Sequence, residues 1–418
     1  MKPDANNRAR VIATAVATAT ATVLGLVGAT TTGAGSAGAV PLAGCPALYV
    51  LGVQGTGQSS PTADPLADTG VVGALIAPVL LAAPGLVQRS YIPYGAGFGG
   101  VVPGGGPDPY VVSVTDARNQ LDAAATQIAD TCPGTMIAGI GYSQGAQAMS
   151  WFARDIGAGA GPVAPDRVAG IALYAHPDRA PDAPIFPGRP GQTVPDPAPG
   201  TRGAAVSTVQ LANPPAGGGG IADGATSYGA LTGRVADICT DGDLACSAPD
   251  RAALLRVGAE IAAQADLRDP VAAIGSLNAL FTGAMGGAWT TVVLNDFQVG
   301  AGNVDYAPQL GLAGRLIEAA DPRTPGPSLE ELRAADARWN EITATVAANP
   351  IGLLPKLAGQ LGTAWGGLVA DNADLLNPAI WVRYADTVAR HNNYAINGQL
   401  NSGIAWMVAL AHDIAGSQ

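Results

Sequence analysis

The chain has 418 residues, of which 48% are hydrophobic and 13% charged, and its formal net charge is −11. That length and apolar content allow at least one large core plus a substantial addition. The excess of carboxylates leaves no electrostatic basis for a nucleic-acid partner.

At the N-terminus, Lys2, Arg8 and Arg10 precede an apolar run at 11–27, and Ala37-Gly38-Ala39 follows as a small-x-small site. This pattern predicts an export signal over residues 1–39, whose removal would leave Val40 first. Lys2, Asp4, Arg8 and Arg10 would go with it, a net +2, taking the charge from −11 to −13. A retained anchor is the competing reading, but the run is rich in threonine and alanine and only weakly apolar for a permanent span. No later stretch is expected to cross a membrane.

Four cysteines lie beyond that segment, Cys45, Cys132, Cys239 and Cys246. An even count in an exported chain reads as two disulfides, with three pairings open. Cys239 and Cys246 are close enough for a local loop staple, which would leave Cys45 for Cys132. A zinc site needs paired Cys-x-x-Cys spacing or nearby histidines, and neither is present, so no metal or cofactor is expected.

Between residues 47 and 175, short β-rich runs alternate with helical stretches, the pattern of a mostly parallel sheet with helices on its faces. Strands are predicted at 48–53, 90–94, 135–141 and 168–174, and helices at 113–128 and 144–156. The stretch 180–224 is rich in Pro and Gly and reads as a long surface excursion. A further strand is predicted at 232–238, running into the 239–246 loop.

From residue 250 the pattern is helical. Asp269-Pro270 is a cap followed by a first-turn proline, and Ser328-x-x-Glu331 is a capping box. Leu329, Leu332, Trp339, Ile342 and Val346 share one helical face, as do Leu357, Leu361, Trp365 and Leu368. The plainer reading buries these stripes against the body of the protein; the sharper one makes them the inner face of a cap that receives an acyl chain. The expected organisation is a core over 40–249, a helical insertion over 250–385, and a return to the core over 386–418. His412 falls in a helical pattern at 404–414 and reads as an ordinary helix residue.

Gly141-Tyr142-Ser143-Gln144-Gly145 is a G-x-S-x-G turn between a predicted strand and a predicted helix, the context that makes such a serine a nucleophile. A serine hydroxyl needs an imidazole base oriented by a carboxylate. His176 follows a strand end and could approach the same sheet edge. His391 sits in a polar, loop-like stretch before the last helix. The order serine, acid, histidine favours His391. Asp241 and Asp243, in the loop between Cys239 and Cys246, both qualify as the acid. The oxyanion would draw on the Gln144 N–H and on a donor from Gln54-Gly55-Thr56-Gly57-Gln58, the loop after the first strand.

These motifs resemble the cutinase family. The segment Cys132-Pro133 through Gly141-Tyr142-Ser143-Gln144-Gly145-Ala146 is similar to the family's cysteine-to-serine segment. Cys239-x-x-Gly242-Asp243-Leu244-x-Cys246 resembles its acid loop, His391-x-x-Tyr394 its histidine motif, and Cys45-Pro46 its opening. The likeness covers residues 45–246 and the tail from His391. It implies a cutinase-like α/β-hydrolase three-layer sandwich, a triad of Ser143, Asp243 and His391, and disulfides Cys45–Cys132 and Cys239–Cys246, with Thr56 as the oxyanion hydroxyl. Two features depart from the family pattern. The acid and histidine are 148 residues apart where family members keep them close, and the triad then requires the ends of the insertion to meet. Mycobacteriophage mycolyl-ester hydrolases are similar in carrying helices there. The Pro/Gly excursion with Ala175-His176-Pro177-Asp178-Arg179 also resembles the PE-PPE domains of actinobacteria.

The expectation is a secreted or envelope-associated monomeric serine esterase acting on a small-molecule or lipid ester, with peripheral contact to the cell envelope. Its rivals are an acyltransferase using the same triad and a non-catalytic envelope-binding protein.

Overall fold

A computed structural model describes residues 40–211, 216–222, 224 and 227–417. The predicted export signal at 1–39 lies outside the described residues. The first part of the chain forms β1 (Leu48–Val53), α1 (Gly70–Ala82), β2 (Val87–Tyr91), α2 (Tyr110–Thr131), β3 (Met136–Tyr142), α3 (Gln144–Gly157), β4 (Val168–Tyr174) and β5 (Val235–Ile238). The five strands make one parallel sheet in the order β2-β1-β3-β4-β5. Strands covered on both faces must be apolar at nearly every position. In β1 all six residues are buried, and they alternate between two cores. Leu48 and Val50 join α1 and the last helix, whereas Tyr49, Leu51 and Val53 join α2 and α3. The result is a three-layer α/β sandwich. The chain passes from β1 to β2 on one side and then crosses to β3 on the other, so a crevice opens at the carboxyl ends of β1 and β3, the place where open α/β sheets bind ligands.

Two expectations in this region shift. The second strand is Val87–Tyr91 rather than 90–94. Ile92 N still donates to Gly52 O at 2.9 Å, but Pro93 has no N–H to continue the ladder. Helix α1 was not foreseen, because GVVGALIAPVLLA is apolar all round and shows no stripe.

The 180–224 stretch is not simply a surface excursion. Phe186, Ala198, Val206, Val209 and Leu211 are buried in the core on the α1 face. Arg179, 3% exposed, holds the segment by donating to the carbonyls of Gly218, Ala216, Ala183 and Cys246 at 2.8–3.2 Å. Irregular backbone has no ladder to satisfy its carbonyls, and this guanidinium does so instead.

The insertion contains α4 (Ala253–Gln264), α5 (Pro270–Thr291), a hairpin of β6 (Phe297–Gly300) and β7 (Asn303–Tyr306), then α6 (Leu312–Ala320), α7 (Leu329–Ala348), α8 (Pro350–Ala370) and the short α9 (Pro378–Arg383). The expected caps are present: Asp269 accepts from Val271 N and Ala272 N, and Ser328 and Glu331 form a reciprocal box. The insertion is helical apart from the hairpin, whose turn residues Ala301 and Gly302 have φ of 47° and 74°. Two positive φ values in a two-residue turn match the twist of paired strands. The predicted helix stripes do not pack on the sandwich. Only Ile342 and Leu357 are buried, in a small core with Val293, Phe297, Val304 and Tyr306, whereas Leu329 (58%) and Trp365 (63%) are exposed. Against expectation, the helical run Pro270–Asp296, with mean hydropathy 1.3, is long and apolar enough to cross a membrane by length and composition. Its large apolar residues, Val271, Ile274, Leu277, Leu280 and Phe281 among them, are interspersed with small and polar ones and form no unbroken apolar run.

The insertion closes at its base. Ala253 N donates to Asp371 O, Leu254 N to the Asn372 side chain at 2.7 Å, and Arg251 pairs with Asp374 at 2.8 Å. The chain then returns through α10 (Thr387–Asn392) to α11 (Asn401–Ala415), which packs beside α1.

Candidate active site

Ser143 stands between β3 and α3 with φ 54° and ψ −122°, a strained left-handed conformation for a residue with a side chain. The turn permits no Cβ at its flanks. One on Gly141 would come within 2.6 Å of Ala146 Cα, and one on Gly145 would run into the carbonyls of Val53 and Gln54. Ser143 N donates to Tyr174 O at 2.9 Å, which ties the turn to the next strand.

The structure brings three of the predicted residues into one chain of hydrogen bonds. His391 Nε2 is 2.9 Å from Ser143 Oγ, and His391 Nδ1 is 2.9 and 3.0 Å from the two oxygens of Asp243. An ionised carboxylate only accepts, so Nδ1 carries the proton and Nε2 presents its lone pair to the serine hydroxyl. Asp243 is 1% exposed, and its charge is also met by Ala245 N at 3.0 Å and Tyr394 OH at 2.8 Å. Burial, and after it the Asp243 charge, pushes the Tyr394 hydroxyl well above its ordinary range, so it remains a donor. Tyr142 OH donates to His391 O at 2.6 Å and fixes the histidine from its backbone side.

His391 lies in the last turn of α10 rather than in a loop. The segment holding it is fastened to the acid loop: Leu244 N donates to Thr387 Oγ1 at 2.8 Å, Arg390 to Asp241 O at 2.7 Å, and Tyr384 OH to Ser247 O at 2.7 Å. Asp241 does not reach the histidine; it pairs with Arg383. His176 is fully buried and bonds Asp237 at 2.7 Å rather than Ser143, and His412 is an exposed residue of α11. The sulfurs of Cys45 and Cys132, and of Cys239 and Cys246, are bonded.

Thr56 lines the same cavity as Ser143 and His391. Its loop is shaped by Gly57 N donating to Ala96 O at 2.9 Å and Tyr94 OH to Gln54 O at 2.6 Å. Gln144 opens α3, where an N–H has no intrahelical acceptor and is free for an oxyanion. Its side chain is turned inward, donating to Gly97 O at 3.0 Å and Tyr110 O at 3.2 Å.

The cavity measures about 280 Å³ and is mostly apolar, with Phe98, Val114 and Trp151 from the sandwich facing Ala259, Ala263 and Pro322 from the insertion. One part of its wall was not anticipated. Fully buried Asp178 accepts from Gln147 Nε2 at 2.6 Å and Trp151 Nε1 at 2.7 Å, and Gln147 accepts from Tyr110 OH at 2.7 Å. The available signal was spacing: 143, 147 and 151 fall on one face of α3.

A family model described as Cutinase matches residues 44–254. A curated protein, the carboxylesterase Culp6 homolog of Corynebacterium glutamicum, is 30% identical over 223 residues, covering 49% of this chain and 66% of that protein, just under two thirds of its length. Among solved structures, the catalytic core of acetyl xylan esterase from Trichoderma reesei is 19% identical with a TM-score of 0.31, covering 56% of this chain and 99% of that one. Lysin B from Mycobacteriophage D29 is 17% identical with a TM-score of 0.31, covering 70% and 98%.

Proposed function

This chain belongs to the cutinase family, and from that premise we propose that it is an exported serine hydrolase of carboxylic esters. The observation that carries the reading is the unbroken path from Ser143 Oγ through His391 to Asp243, with 2.9 Å at each junction. His391 Nε2 takes the serine proton as Oγ bonds the ester carbonyl carbon, and the Asp243 charge stabilises the imidazolium that forms. The oxyanion receives the Gln144 N–H and the Thr56 hydroxyl; each such donor is worth roughly 10²- to 10³-fold in rate. Collapse breaks the bond to the alcohol, which leaves with the proton from His391. Water then adds to the acyl-enzyme, giving its proton to His391, and the acid departs as Ser143 regains its hydrogen.

Two disulfides support an oxidising compartment outside the cytoplasm. The apolar cavity, covered in part by the insertion, supports lipid or cell-envelope esters as substrates. Labelling with a fluorophosphonate tests the chemistry: the wild type is expected to take up one equivalent and Ser143→Ala none. Equal labelling of both, or none of either, would sink the proposal.

A further inference from the structure

Beyond the catalytic cavity lies a larger groove of about 810 Å³, between α5 and the segment 318–332 that joins α6 to α7. The two adjoin each other. Pro322 lines both, and the consecutive residues Ala263 and Gln264 at the end of α4 line one each. Leu280, Gly283 and Gly286 form one side of the groove, and Pro325, Pro327 and Leu332 the other. Most of its polar groups are engaged within the protein: Thr290 and Thr291 donate to Gly286 O and Gly287 O at 2.9 Å, Gln264 donates to Ala320 O at 2.7 Å, Glu318 pairs with Arg315 at 3.1 Å, Asp321 with Arg323 at 2.8 Å, and Glu331 closes the Ser328 cap. What the groove presents to a ligand is therefore hydrocarbon, edged by Thr282, Asn295 and Thr324, and at Pro322 it adjoins the apolar cavity that ends at Ser143.

We propose that this groove is an alkyl-chain subsite, receiving the distal part of a long acyl chain whose ester carbonyl lies at Ser143. The proposal rests on the esterase reading and deepens it, because it makes long-chain acyl esters the preferred class. A short acyl group is contained within the 280 Å³ cavity and never passes Pro322. A long one continues into the groove and gains its burial there.

The glycines of α5 supply the test. A Cβ on Gly283 or on Gly286 meets no heavy atom within 4 Å, so Gly283→Leu and Gly286→Leu project into the groove without displacing protein, and either replacement favours the helix. For the wild type and both variants, kcat/KM is measured on 4-nitrophenyl butanoate and 4-nitrophenyl hexadecanoate, with melting temperature as the folding control. The short ester is expected to stay within about twofold, and the long one to fall about tenfold or more. No selective loss on the long ester in either folded variant overturns the proposal. Calorimetric binding of hexadecanoate to Ser143→Ala, with and without Gly283→Leu, separates the subsite from the chemistry. Binding weakened about tenfold by the added leucine supports the subsite even if neither ester is hydrolysed, an outcome that would sink the esterase reading alone. Undetectable or unchanged binding overturns the subsite even if the chain proves to be an esterase.

Discussion

The helices of the sandwich and those of the insertion treat apolar side chains in opposite ways. Helix α11 buries Trp406, Met407 and Leu410 completely, with Phe186 edge-on to Trp406 at 6.1 Å. Helix α5, which has no charged residue in 22, leaves Val271 81%, Ile274 71% and Phe281 53% exposed. The first helix is a structural member of a core that closes on itself. The second draws its order from packing on α6, α4 and α7, and its remaining surface contributes little to folding. Cohesion of the insertion therefore rests on small cores and on the clamp at its base, where Arg251 and Asp374 meet.

The strongest challenge to this contrast is removal of the disulfides. Loop-closure entropy assigns about 4.6 kcal/mol to Cys45–Cys132 and about 2.4 kcal/mol to Cys239–Cys246, from their separations of 87 and 7 residues. Double serine variants are expected to lose stability in that order in denaturant titrations. Activity is expected to fall in the reverse order, because the shorter bridge frames Asp243. A matched pair of tryptophans sharpens the contrast. Trp406→Ala should cost about 3–5 kcal/mol in chemical denaturation, and Trp365→Ala, at a position 63% exposed, less than about 0.5 kcal/mol. Similar costs at the two sites would erase the distinction. An effect smaller than the loss at Trp406 is expected at the junction of the two regions. Tyr394→Phe removes one hydroxyl from Asp243 and should lower kcat about tenfold, about 1.4 kcal/mol, with KM and melting temperature nearly unchanged. A loss confined to KM would mean that Tyr394 does not act through the acid.

The legibility of the sequence follows the range of the interactions. Strands 48–53 and 168–174 coincide with β1 and β4 because fully buried strands announce themselves as short apolar runs. The turn around Ser143 was legible because only glycine tolerates the contacts at 141 and 145. The hairpin escaped notice because four-residue strands carry too little pattern to compete with flanking helices. The exposure of Trp365 was illegible for a different reason: a helical stripe reports that a helix has an apolar face, not that anything covers it.

The amino-acid sequence by itself therefore determined the turn that carries Ser143, the cysteine inventory and the alternation that builds the sandwich, all of them consequences of local sterics and periodicity. Tertiary structure decided the rest. Asp241 and Asp243 have the same chemistry two residues apart, and what separates them is the return of the chain 148 residues after Asp243. That return sets His391 against Asp243 and Arg383 against Asp241. The same closure brings Ala259 and Pro322 over Ser143 and turns an open crevice into a cavity. Contacts between residues so far apart depend on the packing of everything between them, and no local pattern encodes that.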